Sequence, residues 1–309
     1  MRIVFMGTPD YALFSLRALV EAGENVVGVV TQPDKPKGRG YTLTPPPVKV
    51  YAQEKGIPVF QPERVKDGSF DETLKQLAPD VCVVAAYGKI LPQSLLDIPR
   101  HGCLNIHGSL LPEYRGAAPM QRAIIDGKKV TGVTIQQMAL GMDTGDILLM
   151  KDTEIREEDN FEDIHDRLGV LGAEALMETI KLLREGKLSP VKQDDSLATY
   201  AAKIEKADCA LDFTRPARQL HDQIRGMSPF PLAFTHLPGG SMLKITRARV
   251  EADEGQGTPG QVVSLEDGIV VQCGQGRLRL LGVLPEGKGR MAAADFVRGR
   301  KIAEGDILN

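Results

Sequence analysis

An amide and an imidazole close together near a strand end could take part in acyl-type chemistry. Asn105 and His107 are separated by one residue in the run 102–107, whose apolar residues predict a buried strand. Alternate side chains of a strand share a face, so both polar groups are expected on the same side. Together they could stabilise a carbonyl oxygen that becomes negative, and a carboxylate from a later loop could orient the imidazole or assist proton transfer. The alternative is that both are hydrogen-bonded structural residues.

Asp143 could supply such a carboxylate. It lies in the segment 141–145, which begins and ends with glycine and separates two predicted strands, 131–138 and 146–151. The two glycines predict a turn. Because an aspartate in a turn often hydrogen-bonds its own backbone, the residue type alone leaves both a structural and a chemical role open.

Hydrophobic runs elsewhere predict the sheet that would position these residues. Four buried strands are predicted over residues 2–6, 25–30, 81–86 and 102–107. A helix follows the first strand, with Thr8 expected as its N-cap and Pro9 as its first residue. Strands that alternate with helices predict a doubly wound, Rossmann-like parallel sheet of the α/β class. Ligands of such sheets bind beyond the carboxyl ends of the strands, which is where Asn105 and His107 lie.

The chain resembles the enzymes that move a formyl group from 10-formyltetrahydrofolate to an amine. The signature is Asn105-Ile106-His107-Gly108-Ser109-Leu110-Leu111-Pro112, followed by Tyr114-Arg115-Gly116 and by Asp143. Glycinamide ribonucleotide transformylases have proline after the histidine. This chain has Gly108 at that position, and in this it resembles the methionyl-tRNA formyltransferase family. That resemblance extends over the whole chain, through Gly7-Thr8-Pro9-Asp10, Thr31-Gln32-Pro33-Asp34, Gly38-Arg39-Gly40 and Ser228-Pro229-Phe230-Pro231.

The resemblance implies a reaction and a catalytic trio. The α-amine of initiator methionyl-tRNA would take the formyl group for translation initiation. Asn105 and His107 would stabilise the oxyanion, and Asp143 would hold His107 and assist proton transfer. No metal is expected, because one imidazole and one carboxylate make a poor metal site. The implied folate site consists of Ser109, Leu110, Leu111, Pro112, Ile90 and Leu91.

A proline-rich basic segment, 32–47, is predicted to be irregular. It contains five prolines with basic residues between them, and proline disfavours regular structure. A long loop in a compact domain is more often functional than accidental, although a merely disordered loop stays possible. The resemblance implies that this loop enters the acceptor-stem region of the tRNA, which would give Arg39 a recognition role beside Lys35 and Lys37.

The last third of the chain is predicted to form a second domain. A long helix is expected to start near Asn160 and a short one to cover 217–224, and short glycine-separated strands follow, which suggest a small β-barrel. The resemblance makes this an OB-like, tRNA-binding barrel. The predicted domains are therefore 1–189 for catalysis and 207–309 for tRNA binding, joined by a linker over 190–206.

Composition agrees with a two-domain globular enzyme. The chain has 309 residues, of which 42% are hydrophobic, and a net charge of -3. The charge is uneven, because residues 201–309 hold 15 Lys+Arg against 13 Asp+Glu, a net of +2, which leaves 23 against 28 in residues 1–200, a net of -5. The four cysteines are far apart and no apolar stretch reaches the length of a membrane span. These features favour a cytoplasmic protein, and a monomer is the working expectation.

Two other functions fit part of the sequence. A formyltransferase acting on an amino sugar nucleotide would keep the trio but would not need the basic loop and barrel. A non-enzymatic RNA-binding protein would use the barrel and leave the trio unexplained.

Overall fold

The computed structural model describes residues 1–37, 41–252, 254, 257–299 and 301–309, apart from the side chain of Lys37. The predicted recognition residue Arg39 lies outside the described residues. Chain contacts divide the protein into two compact units. The first unit comprises Met1–Gly116, Thr131–Thr153 and His165–Ala201, and the second comprises Ala117–Val130, Glu154–Ile164 and Ala202–Asn309.

A seven-stranded sheet forms the centre of the first unit. Its strands are β1 (Arg2–Gly7), β2 (Asn25–Val30), β5 (Val59–Phe60), β6 (Val81–Ala85), β7 (Cys103–His107), β9 (Val130–Gln137) and β10 (Ile147–Glu154), in the order β10-β9-β7-β6-β1-β2-β5. The pairs from β7 to β5 are parallel, which confirms the doubly wound arrangement. β9 runs antiparallel to β7, a common addition to one edge of such sheets.

The helices follow the strands in the predicted alternation. They are α1 (Asp10–Glu21), α2 (Pro47–Glu54), α3 (Asp71–Leu77), α4 (Gln93–Leu96), α5 (Pro119–Ile125), α6 (Phe161–Arg184), α7 (Ala217–Gly226) and α8 (Ala293–Arg298). All five residues of β6 are buried, as expected for a strand covered on both faces. All four cysteines are free and buried. Of the helices described, none is long and apolar enough to cross a membrane.

The start of α1 differs from the prediction. The helix begins at Asp10 with Pro9 as its N-cap, so the prediction that Thr8 caps it was wrong. The Thr8 hydroxyl instead donates to the carbonyl of Tyr87 (3.0 Å) and accepts from the backbone N–H of Gln32 (3.3 Å). Long-range partners at neighbouring strand ends therefore outcompete the local cap.

The segment 32–47 is more regular than predicted. β3 (Lys35–Lys37) and β4 (Thr42–Thr44) pair antiparallel, and α2 starts at Pro47. The prediction of irregular structure was wrong for these residues, because proline is tolerated in a short two-stranded ribbon whose edges face solvent. Within the same region Lys49 pairs with Asp34 at 2.8 Å and holds the pKa of that carboxyl below its usual value.

The second unit contains a curled antiparallel sheet. Its strands are β12 (Ala233–His236), β13 (Met242–Ala252), β14 (Val262–Ser264), β15 (Ile269–Gln272), β16 (Arg277–Pro285) and β17 (Met291–Ala292). Register shifts in the β13–β16 pair mark bulges, which bend a sheet. The result is an OB-like half-barrel around one hydrophobic cluster, to which α7 and α8 contribute. α5 packs on α7, where a Cβ at Gly226 would lie 2.7 Å from Ile125.

The predicted linker has structure of its own. It holds the 3-10 turn Asp195–Leu197 and the strand β11 (Tyr200–Ala201), which pairs in parallel with β8 (Arg115–Gly116) of the first unit. A further 3-10 turn, Lys206–Cys209, belongs to the second unit. The domain boundaries of the sequence analysis stay a prediction.

Candidate active site

Asn105 and His107 lie at the carboxyl end of β7, which runs between β6 and β9. On β9, Gln136 is the register partner of Asn105, and Thr134 is the partner of His107. His107 is 6% exposed, and Asn105 is half-buried. The two side chains are therefore presented from a rigid, central strand, and little solvent reaches the imidazole.

The structure brings Asp143 to both residues. Its Oδ2 accepts a hydrogen bond from the backbone N–H of Gly116 (2.8 Å), and its Oδ1 accepts one from Nε2 of Gln136 (3.0 Å). The same Oδ1 lies 3.5 Å from Nδ2 of Asn105 and 3.6 Å from Nδ1 of His107. Four nitrogen atoms thus converge on one carboxylate.

The other ring nitrogen of His107 fixes the proton positions. Nε2 lies 2.9 Å from the carbonyl oxygen of Tyr114. Because a carbonyl only accepts, Nε2 carries a proton. Nδ1 is then the nitrogen that gains or loses a proton, and it faces Asp143.

The loop that carries Asp143 is held by a residue that the sequence analysis did not single out. Gln193 donates from Nε2 to the carbonyls of Asp143 (2.8 Å) and Gly145 (2.7 Å). Its Oε1 accepts from Nε (3.1 Å) and Nη2 (2.8 Å) of the buried Arg115, which also pairs with Asp195 at 2.7 Å. Gln193 lies in a non-periodic segment, so the sequence carried no signal for this contact.

Gln136 is the second residue that the sequence analysis missed. It is 2% exposed, and its Oε1 has no hydrogen-bond partner among the described atoms. Because the Asp143 carboxylate only accepts, the amide group must turn its NH₂ toward it. One signal was available: a glutamine inside the apolar strand 131–138 is a buried polar group that needs a partner.

The predicted folate residues separate into two groups. Three have accessible surface, with Ile90 61% exposed and Leu110 and Pro112 half-buried. The side chains of Leu91 and Leu111 are buried, Leu91 within the hydrophobic cluster beside β6. All of them follow the carboxyl ends of β6 and β7, which are adjacent strands.

Ser109 belongs with the buried group. Its hydroxyl donates to the carbonyl of Glu113 (2.6 Å), while its own carbonyl accepts from the hydroxyl of Thr134 (2.7 Å). The same Thr134 oxygen accepts from the N–H of Leu111 (3.0 Å). Ser109 therefore shapes the turn after His107, and its hydroxyl is already engaged.

Of the predicted tRNA contacts, the structure describes only the side chain of Lys35. That side chain is exposed, and its ammonium donates to Oε1 of Gln32 (2.6 Å). Within the described part of the chain, no group of three His, Cys, Asp or Glu side chains is placed to hold a metal ion.

Comparison with solved structures shows that the fold is shared with formyltransferases. An N-formyltransferase from Helicobacter canadensis, solved with folinic acid and dTDP-3-aminofucose, superposes with a TM-score of 0.68 over 90% of this chain and 98% of its own. The two sequences are only 18% identical, so this likeness concerns the fold alone.

Sequence comparison is more specific. The chain matches the formyl transferase family over residues 1–180 and the formyl transferase C-terminal domain over residues 203–301. The methionyl-tRNA formyltransferase of Citrifermentans bemidjiense is 49% identical over 309 residues, covering 100% of this chain and 96% of the relative. That of Myxococcus xanthus is 51% identical over 305 residues, covering 98% and 96%. The family predicted from the sequence is confirmed, and the chain belongs to the methionyl-tRNA formyltransferases.

Proposed function

We propose that this protein transfers the formyl group of 10-formyltetrahydrofolate to the α-amine of initiator methionyl-tRNA, for translation initiation in the cytoplasm. The observation that supports this most directly is that the side chains of Asn105 and His107, at the end of β7, both lie beside the Asp143 carboxylate. Similarity to methionyl-tRNA formyltransferases over both units supports this acceptor over an amino sugar.

The trio would act on the charge that develops during transfer. The amine nitrogen bonds to the formyl carbon, the bond from that carbon to N10 of the folate breaks, and one proton passes from the amine to the departing folate nitrogen. Asn105 donates from Nδ2 to the oxyanion. His107 stabilises it by the positive charge of its imidazolium, because the two ring N–H groups are directed at the Tyr114 carbonyl and the Asp143 carboxylate. Asp143 holds that imidazolium at Nδ1 and assists the proton transfer. Removal of one such donor commonly costs about 10²–10³ in rate.

The folate would bind beyond β6 and β7. Ile90, Leu110 and Pro112 offer accessible apolar surface there, which suits the flat rings of a folate. Leu91, Leu111 and Ser109 would support these contacts from beneath, since their side chains are buried.

The tRNA would contact the basic segment 32–47 and the C-terminal barrel. We assign recognition of the acceptor end to Arg39, with Lys35 and Lys37 beside it, and general phosphate binding to the barrel in 207–309. Catalysis belongs to 1–189, and 190–206 joins the two. Arg39→Ala should lower kcat/KM for initiator tRNA far more than for a methionine-charged elongator tRNA. Equal losses would reduce Arg39 to a general phosphate contact.

The function is tested by offering two acceptors with 10-formyltetrahydrofolate. Charged initiator tRNA and an amino sugar nucleotide are compared at equal concentration. Formylation of the tRNA alone supports the proposal, and formylation of the sugar alone favours the other formyltransferase class. No transfer to either acceptor, with tRNA binding retained, would indicate a binding protein.

We also propose that the protein is a monomer, which sedimentation velocity checks directly.

A further inference from the structure

A buried glutamine ties the predicted linker to the loop that carries Asp143. Gln193 is 6% exposed, and its Nε2 reaches the carbonyls of Asp143 and Gly145 at 2.8 and 2.7 Å. The carbonyls can only accept and the guanidinium of Arg115 can only donate, so the orientation of the amide is unambiguous. Gln193 therefore donates both of these hydrogen bonds to the loop and accepts those of Arg115.

Arg115 holds Gln193, and the residue after Arg115 holds the Asp143 carboxylate. It is 2% exposed and holds Oε1 of Gln193 with two N–H groups. The next residue, Gly116, donates its backbone N–H to Oδ2 of Asp143. Gln193, which Arg115 holds, therefore fixes the backbone of Asp143, and Gly116 fixes its side chain.

The backbone conformation of Asp143 is an uncommon one. Its φ is 54°, in the left-handed region that residues other than glycine seldom adopt, although aspartate does so more readily than most. A small backbone rotation would move the carboxylate away from Nδ1 of His107, from which it is separated by 3.6 Å.

We propose that Gln193 is a positioning residue for formyl transfer. It fixes the backbone of residues 143–145 so that the Asp143 carboxylate meets the imidazole of His107. The inference rests on the proposed role of Asp143 in the reaction. It makes the segment 190–206 part of the active site, beyond its predicted role as a linker.

The chain contains a matched control for this glutamine. Gln272 is 1% exposed, and its Nε2 donates to the carbonyls of Cys273 (2.9 Å) and Gly276 (3.0 Å). Its Oε1 accepts from Nε of Arg277 (3.2 Å). Gln272 thus makes the same kind of bonds as Gln193, but within the second unit.

The first experiment compares Gln193→Met with Gln272→Met in the full-length protein. Both lose their amide bonds at similar side-chain volume, so their thermal unfolding midpoints should fall by similar amounts. Gln193→Met should lower kcat by about 10- to 100-fold with KM for both substrates within about twofold, because misplacement of a reacting group by about 1 Å can cost about 100-fold. Gln272→Met, whose side chain is 1% exposed and so does not face the tRNA, should keep kcat at saturating tRNA within about twofold. Equal kcat for both variants would overturn the inference.

The second experiment combines Gln193→Met with Asp143→Asn. If Gln193 acts only through Asp143, the double variant should have the same kcat as Asp143→Asn alone, whereas a general structural defect would multiply the two losses. Multiplied losses would overturn the inference. If Gln193→Met does not fold, Gln193→Asn replaces it in the comparison of single and double variants. This variant retains the amide on a shorter side chain. Wild-type turnover of Asp143→Asn itself would instead refute the role proposed for Asp143.

Discussion

Replacement of Asp143 by asparagine should cost more than the loss of a charge. Both carboxylate oxygens accept hydrogen bonds, Oδ2 from Gly116 and Oδ1 from Gln136. An amide has one oxygen, so its NH₂ group must face one of these N–H donors. If the oxygen stays with Gly116, the conflict at Gln136 is relieved only when the Gln136 amide turns, which places its NH₂ where its oxygen now has no hydrogen-bond partner. Asp143→Asn should therefore disturb the hydrogen bonds around the side chain as well as remove its charge.

The expected size of the effect follows from the contacts. A hydrogen bond to a charged group contributes about 1.5–3 kcal/mol. At the 3.6 Å between Oδ1 and Nδ1 of His107, an imidazolium–carboxylate pair at an effective dielectric constant of about 20 gains about 4.6 kcal/mol. If about 3–4 kcal/mol of this is lost from the transition state, kcat falls by about 10²–10³.

The measurement is steady-state formyl transfer with saturating folate and varied charged tRNA, which gives kcat and the KM for tRNA separately. KM for the tRNA should change little, because no acceptor-binding group is removed. Asp146→Asn serves as the control, since Asp146 is an exposed residue of the same loop and should retain near wild-type kcat. If Asp143→Asn also keeps kcat within about threefold, corresponding to less than about 1 kcal/mol, the carboxylate has no part in the chemistry.

Three further changes probe the rest of the structure. Gln136→Met removes the 3.0 Å hydrogen bond to the Asp143 carboxylate and should lower kcat by about tenfold. Gln136→Glu should lower kcat further, because it places a second carboxylate beside the first. If both variants turned over as fast as the wild type, the contact would have no part in the reaction. Ile90→Ser should raise KM for the folate severalfold with kcat and thermal stability unchanged, since the side chain is accessible, and an unaltered KM would remove it from the folate site. The Asp10 carboxylate raises the pKa of His165 and has its own pKa lowered, so the pair stabilises fully between about pH 4 and 6.5 and less as pH rises through the raised value. His165→Gln should therefore lower the free energy of unfolding by urea more at about pH 6 than at about pH 9, and a loss independent of pH would contradict it.

Periodicity and spacing were enough to predict the scaffold of the site. The buried strand 25–30 was predicted with the bounds that β2 has, and 102–107 contains β7. Alternation then placed Asn105 and His107 on one face, and both lie beside Asp143. These predictions succeed because apolar repeats and strand alternation are local properties of the chain.

The partners of the polar groups could not be predicted in the same way. Gln193 is 50 residues from Asp143 in the chain, and Thr8 is 79 residues from Tyr87. Such contacts depend on which strand ends become neighbours, and no short window of sequence contains that information. The prediction of irregular structure over β3 and β4 was wrong for a different reason. It was based on proline content, although a short exposed ribbon can still pair when it contains proline.

The distances around Asp143 separate the groups that hold the carboxylate from those that react. Gly116 and Gln136 bind it at 2.8 and 3.0 Å, which are ordinary hydrogen-bond lengths. Nδ2 of Asn105 remains at 3.5 Å, so this donor is not firmly bound before substrate arrives, whereas His107 is held through Nε2 by the Tyr114 carbonyl at 2.9 Å. A donor that is already well bonded would have to break that bond to reach an oxyanion, and part of its contribution would be lost.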